Sequence, residues 1–221
     1  MDISIFDVIG PVMIGPSSSH TAGAAKLART ARIIVKDEIT HVSFRLHGSF
    51  AKTGKGHGTE KALVAGALGL SEDDEALADS FRLAAKQGIS FDFSEEEMEN
   101  VHENTVRMIF TMKDGSHNEV VGSSIGGGQI KITEINGFVT DMNLSLPTIV
   151  IEQYDKKGIV TEVSGIMAEH DLNIANMKLV RRSKGDVACC IIETDDFIPE
   201  EIEKSIMKSE NVISARVINI G

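Results

Sequence analysis

Between Thr148 and Ile220 two apolar periodicities alternate in an order that few folds accept. Thr148 to Gln153 is a β-branched run, the composition of a strand. Gly158 to His170 then places Ile159, Val160, Val163, Ile166 and Met167 at helical spacing. Strands are expected over Asn173 to Arg182 and Val187 to Thr194, joined by the turn Ser183-Lys184-Gly185-Asp186; a helix from Pro199 to Lys208 and a last strand from Val212 to Ile220 follow. This βαββαβ order predicts a ferredoxin-like sheet. A polar stretch ending in proline, Asn143-Leu144-Ser145-Leu146-Pro147, precedes it, so the boundary is placed there, with one domain over residues 1–145 and a second over 147–221.

Upstream the elements are mixed, and the N-terminal domain reads as α+β. A serine-rich helix runs to Val35, and Ile39 to Leu46 alternates apolar and polar residues as a half-buried strand. Leu77 to Gly88 reads as a helix with Gly88 at its C-cap, and Ser94-Glu95-Glu96-Glu97 as an acidic helix start or turn. Strands over Asn104 to Thr111 and Asn118 to Ser123 flank Lys113-Asp114-Gly115-Ser116, whose Asp-Gly pair is a hairpin signal. Another strand is expected at Gln129 to Glu134, with a turn at Asn136-Gly137. The glycine run Gly126-Gly127-Gly128 lacks the spacing of a dinucleotide-binding turn, so it is read as a place where the sheet bends or another chain comes close.

Composition removes several classes of function. A formal charge of -11 argues against a nucleic-acid partner, whose phosphates would need clustered Lys and Arg. No apolar run approaches the ~20 residues of a membrane-spanning helix, and the N-terminus lacks a secretory pattern, so a cytoplasmic protein is expected. Cys189 and Cys190 are the only two cysteines. Adjacent residues of a strand point to opposite faces, so they read as buried thiols and are badly placed to share a metal.

Polar chemistry gathers in two short segments. Ser17, Ser18, Ser19, His20 and Thr21 follow Gly15-Pro16 and run into Ala22 to Ala28, the first turns of a helix. A helix start offers unpaired backbone N–H groups and a positive dipole end, and here three hydroxyls and an imidazole add donors. A carboxylate-bearing substrate suits such a place. The second segment, Thr53-Gly54-Lys55-Gly56-His57-Gly58-Thr59-Glu60, has the same ingredients and reads as a narrow glycine-rich loop before an alanine-rich helix, Lys61 to Leu70. His41, His47, His102, His117 and His170 lie outside both segments and read as solvated or core residues. A serine nucleophile is disfavoured, because neighbours in sequence seldom face each other and no Gly-x-Ser-x-Gly elbow exists. Lys55 is the one candidate for a pyridoxal cofactor.

Gly15-Pro16-Ser17-Ser18-Ser19-His20-Thr21-Ala22-Gly23 and Gly54-Lys55-Gly56-His57-Gly58-Thr59 resemble the two signatures of the beta chain of iron-sulfur L-serine dehydratases, in the order expected, over a chain matching from Ile3 to the last strand. The resemblance implies an L-serine ammonia-lyase that converts serine to pyruvate and ammonia only with an alpha subunit. It further implies a 4Fe-4S cluster on that alpha subunit, whose unique iron acts as Lewis acid on the substrate. His20 and His57 would then be the catalytic imidazoles, one as base and the other as its partner or a substrate-orienting donor, with the choice between them open. Ser17, Ser18, Ser19, Thr21, Gly58 and Thr59 would surround the substrate.

The C-terminal half resembles an ACT domain, a regulatory module that usually binds amino acids at subunit interfaces. Asp155, Gly158 and Asn173 are its candidate ligand residues, and association of two copies through this half is expected. Equally open is the reading of Gly158 and Asn173 as turn and loop residues alone. A rival function is a non-catalytic amino-acid sensor, since the N-terminal region of the resembled family is also similar to the allosteric substrate-binding domain of some phosphoglycerate dehydrogenases.

Overall fold

A computed structural model describes residues 15–36 and 38–219. They fall into two units, one running to Gly137 with Asp141–Asn143, the other comprising Phe138–Thr140 and the chain from Leu144 onward. Among the described residues no helix is long and apolar enough to cross a membrane.

The first unit begins with a π-helical turn, Ser18–Gly23, continuous with α1 (Ala24–Val35). Strand β1 (Ile39–Leu46), helices α2 (Gly48–His57) and α3 (Thr59–Ala67), a 3-10 turn at Glu75–Asp79 and α4 (Ser80–Gln87) follow. Then come β2 (Ser90–Glu95), β3 (Thr105–Met112), β4 (His117–Gly126), β5 (Gln129–Ile135) and β6 (Phe138–Met142), in a sheet ordered β2-β1-β3-β4-β5-β6. Alternation explains its core. On β3, Val106, Met108, Phe110 and Met112 all point inward and are buried, and Phe44 and Val42 of β1 lie in the same layer. Helix α1 offers Leu27, Ala28, Ala31, Ile34 and Val35 to the interior at helical spacing.

Small residues set how close these layers come. A Cβ on Gly66 of α3 would lie 2.2 Å from the Ala25 carbonyl oxygen of α1, and one on Gly122 of β4 would lie 2.6 Å from Leu27 Cδ1. Helix α1 is thus pressed between α3 and the sheet, which holds the Ser18–Gly23 turn rigidly over β4.

Three sequence expectations need correction. The glycine-rich segment around His57 is the C-terminal part of α2, so it is no loop. Each glycine disfavours a helix by roughly 1 kcal/mol relative to alanine, but the fully buried Phe50 anchors the segment and decides the outcome. Only Gly58, at φ 74, breaks the path and lets α3 start in a new direction. Residues Ser94 and Glu95, expected to open a helix or turn, end β2 instead, which pairs parallel with β1 from His41↔Ser90 to Leu46↔Glu95. Phe91 and Phe93 secure it: Phe93 stacks on Phe44 and Phe91 packs beside Phe81. Strand β6 was not expected; it follows the Asn136-Gly137 turn, where both residues adopt positive φ.

The second unit follows the predicted order: β7 (Thr148–Tyr154), α5 (Ile159–Glu169), β8 (Ile174–Arg181), β9 (Val187–Thr194), α6 (Glu200–Ile206) and β10 (Val212–Ile218). The Ile220 end expected for the last strand lies outside the described residues, as does Ile3. Its antiparallel sheet runs β10-β7-β9-β8. Ile149, Ile151, Cys190 and Ile192 of the sheet pack with Ile159, Val163 and Met167 of α5 and Ile202 and Ile206 of α6. Each such buried aliphatic side chain contributes about 1.5–3 kcal/mol, enough to fix which face of each strand turns inward.

Candidate functional site

Local chemistry explains the first segment. Ser17 is extended, φ -142, and its Oγ accepts from the His20 amide at 3.1 Å, while its carbonyl oxygen receives the Thr21 amide at 2.9 Å. This is an N-cap on a π turn. It leaves the amides of Ser18 and Ser19, the first of the helix, without a partner among the described residues. Both side chains are half-buried. Gly23 closes the turn against β4, where a Cβ would stand 2.0 Å from Ser124 Oγ.

The second segment brings its imidazole to the first. The His20 and His57 rings lie 5.0 Å apart, centroid to centroid, tilted by 48°, and Phe50 meets His20 edge-on at 5.4 Å. Thr21 is buried and its Oγ1 donates to the His57 carbonyl oxygen at 3.0 Å, so one side chain of the first segment holds the backbone of the second. His57 itself is exposed. Gly58 forms the joint between α2 and α3, and Thr59 is fully buried behind it. The structure therefore brings His20, His57, Ser17, Ser18, Ser19 and Thr21 together, with Gly58 and Thr59 as frame.

Sequence reasoning missed Ser49 and gave Thr53, the first residue of the second segment, no role of its own. Ser49 Oγ and Thr53 Oγ1 lie 3.1 and 3.0 Å from His20 Nε2. Read as a helix, Gly48–His57 puts residues 49, 53 and 57 at successive steps of four, on one face. That periodicity was the available signal, hidden by the glycines. Burial holds the His20 imidazole below its ordinary value of 6.5, and the neighbouring His57 adds to this while hydrogen bonding with the Ser49 backbone opposes it. A neutral imidazole is thus available as a proton acceptor in the neutral pH range.

Two of the C-terminal candidates, Asp155 and Asn173, are engaged by their own chain. Asp155 Oδ2 accepts from Arg181 at 3.0 Å and from the Gly185 amide at 2.9 Å, bracing the β8–β9 hairpin. Those same donors, Gly185 first, hold its carboxyl below the ordinary carboxylate value. Asn173 donates to the carboxylate of Asp195. Gly158, at φ 95, precedes α5 with no atom within 4 Å of a Cβ placed there. The Lys55 side chain lies outside what the structure describes.

Among the described residues an iron-sulfur cluster finds no fitting set of ligands. Cys189 and Cys190 are both buried, and burial pushes the first thiol up to about 12 and the second up to about 11. Being adjacent on β9, the two thiols point to opposite faces of the strand and are badly placed to ligate one iron together. Among the described residues no group of three or more His, Cys, Asp or Glu could hold a metal ion.

Residues 4–87 match the family model described as "Serine dehydratase beta chain". The L-serine dehydratase beta chain of Peptoniphilus asaccharolyticus is 38% identical over 99% of this chain and 99% of its own length. The probable L-serine dehydratase beta chain of Bacillus subtilis (strain 168) is 39% identical over 97% of each chain. D-3-phosphoglycerate dehydrogenase of the same strain is 26% identical over 89% of this chain, which spans 37% of that protein.

Proposed function

This chain belongs to the serine dehydratase beta-chain family, and from that premise we propose that it is the beta subunit of an L-serine ammonia-lyase, converting L-serine to pyruvate and ammonia together with an alpha subunit. The observation that carries the reading is the convergence of the two separated segments, which sets His20 and His57 5.0 Å apart beside the hydroxyl-rich helix start. In the proposed reaction one imidazole takes the α-proton, and the electron pair left on carbon forms the double bond as the β-hydroxyl departs. The resulting enamine tautomerises and is hydrolysed to pyruvate and ammonia. Departure of the hydroxyl is assigned to the alpha subunit, together with the 4Fe-4S cluster. Ser17, Ser18 and Ser19 with their amides are assigned the substrate carboxylate, while Thr21, Gly58 and Thr59 hold the frame of that pocket.

We read the C-terminal unit as an ACT module through which two copies associate, its β8 strand being an edge of the sheet. Asp155, Gly158 and Asn173 remain its proposed ligand residues, with Asp155 Oδ2 bonded to Arg181 and the Asn173 amide nitrogen to Asp195 in the ligand-free chain. Similarity to a phosphoglycerate dehydrogenase over 89% of the chain favours, as the second reading, an amino-acid sensor without chemistry. Anaerobic assay of the chain alone, of an alpha subunit alone and of the two mixed separates these readings. Pyruvate is expected only from the mixture. Serine turnover by the isolated chain, a stoichiometric cluster retained on it, or no gain on mixing would contradict the proposal.

A further inference from the structure

His20 Nε2 faces two hydroxyls at once, Thr53 Oγ1 at 3.0 Å and Ser49 Oγ at 3.1 Å, and these oxygens lie 3.2 Å from each other. A hydroxyl has one hydrogen to donate. That of Thr53 is directed to the Ser49 carbonyl oxygen, 2.9 Å away and one turn earlier in α2, a back-bond common for threonine in a helix. Thr53 Oγ1 is then left to accept from the imidazole, which requires a proton on Nε2. The opposite tautomer costs a hydrogen bond. A bare Nε2 has one lone pair in the ring plane, which could take the hydrogen of Thr53 only by breaking the back-bond to the Ser49 carbonyl oxygen, or that of Ser49 only by confronting a lone pair of Thr53 at 3.0 Å. With Nε2 protonated every hydrogen has a place: Nε2 donates toward the two oxygens, Ser49 Oγ donates to Thr53 Oγ1, and Thr53 donates to the carbonyl. Nδ1 has no hydrogen-bond partner among the described residues.

We propose that Ser49 and Thr53 are positioning residues that lock His20 in the Nε2–H tautomer and leave Nδ1 as its proton-accepting nitrogen. The meaning of this for catalysis rests on the dehydratase reading. There, when the bond between substrate α-carbon and hydrogen breaks, the proton goes to Nδ1, directly or through His57, and the electron pair stays on carbon. The imidazolium so formed keeps the same Nε2–H contacts, so its charge meets two oxygens already oriented toward it. Neither residue needs to touch the substrate for this role.

The tautomer is directly readable in the isolated chain, without alpha subunit or turnover. With 15N-histidine labelling and a pH well above 6.5, two-bond nitrogen–proton correlations distinguish a pyrrole-like from a pyridine-like nitrogen, and His20→Gln assigns the signals. Expected is a pyrrole-like Nε2 and a pyridine-like Nδ1. Thr53→Val combined with Ser49→Ala should give a mixture of tautomers, whereas Thr53→Ser should keep the single form. In the complex the double variant should lower kcat with little change in KM. A His20 found protonated at Nδ1, or an unchanged single tautomer in the double variant, would overturn the proposal. The expected tautomer in a chain that gives no serine turnover even when mixed with an alpha subunit would sink the dehydratase reading and leave the lock standing; turnover by the mixture with an Nδ1-protonated His20 would do the reverse.

Discussion

The helix start at Ser17–Gly23 and the loop before α5 look alike in sequence, since each sets a glycine and polar residues ahead of a helix, yet the structure completes them differently. Around Asp155 and Asn173 the Asp155 Oδ2 and Asn173 Nδ2 atoms already have partners, Arg181 and Gly185 for the first and Asp195 for the second, and the result is a braced hairpin. Around His20 only the supporting contacts are complete. Ser17 caps, Thr21 ties the second segment and the Ser49–Thr53 pair holds Nε2, while the amides of Ser18 and Ser19 and Nδ1 of His20 have no partner among the described residues. Polar groups whose neighbours are fixed but whose own bonds are unmade are what a ligand site requires. Polar groups with completed bonds chiefly support the fold.

Glycine substitutions sharpen the comparison most. Gly23 has an ordinary helical φ of -62, so Gly23→Ala meets chiefly the side chain of Ser124, at 2.0 Å from Oγ and 2.8 Å from Cβ, with the Ser18 carbonyl oxygen farther off at 3.3 Å. Such overpacking costs about 1–3 kcal/mol, and a second change, Ser124→Gly, should restore much of the lost melting temperature. Gly158→Ala meets no atom but must adopt φ 95, at a cost of about 1–2 kcal/mol that no neighbouring substitution relieves. Thermal melts of the single and double variants check this; failure of Ser124→Gly to rescue Gly23→Ala would break the packing account of the first region.

Side-chain changes test the same contrast by kinetics. Ser18→Ala in the assembled enzyme should mainly raise KM, by about tenfold, as loss of a ground-state carboxylate contact does. Asn173→Ala should leave KM and kcat near wild type. Equal KM effects at the two positions would show that open hydrogen-bonding capacity does not mark the substrate site.

The smallest effect concerns protonation. His20 should titrate below 6.5, chiefly because of burial and then because of His57. Since its folded value is depressed, the unfolded chain binds the proton more readily; the His20 contribution to stability is present above pH 6.5 and is lost as pH falls through the window below it. His57→Gln removes the second cause, so the His20 midpoint in an NMR titration should move up toward 6.5. An unmoved midpoint would mean that the two rings do not interact electrostatically.

Much of this architecture was legible because burial imposes period. The second unit was readable strand by strand, since Ile149, Ile151, Cys190 and Ile192 must share one face and Ile159, Val163 and Met167 one helical stripe. The hydroxyl-rich helix start over Ser17 to Thr21 was readable from the residue types, but which serine caps it was not. What stayed hidden depended on contacts between segments distant in sequence. Glycine propensity argued for a loop at residues 54–58, and only the burial of Phe50 makes a helix there; with that helix missed, Ser49 and Thr53 lost their alignment with His57. Strand β2 was obscured in the same way, because its short run ends in acidic residues and is held by Phe44 and Phe81 from elsewhere in the chain.

The central claim is that this chain contributes catalytic imidazoles to a shared active site. The most direct measurement is the kcat for pyruvate formation by the anaerobically reconstituted complex carrying His20→Gln or His57→Gln, with assembly verified by size-exclusion chromatography. A general base and its partner are each worth about 10²- to 10⁴-fold in turnover, so a loss of that size in kcat with intact assembly is predicted. Near-wild-type kcat in both variants would place the base on the alpha subunit and contradict the account.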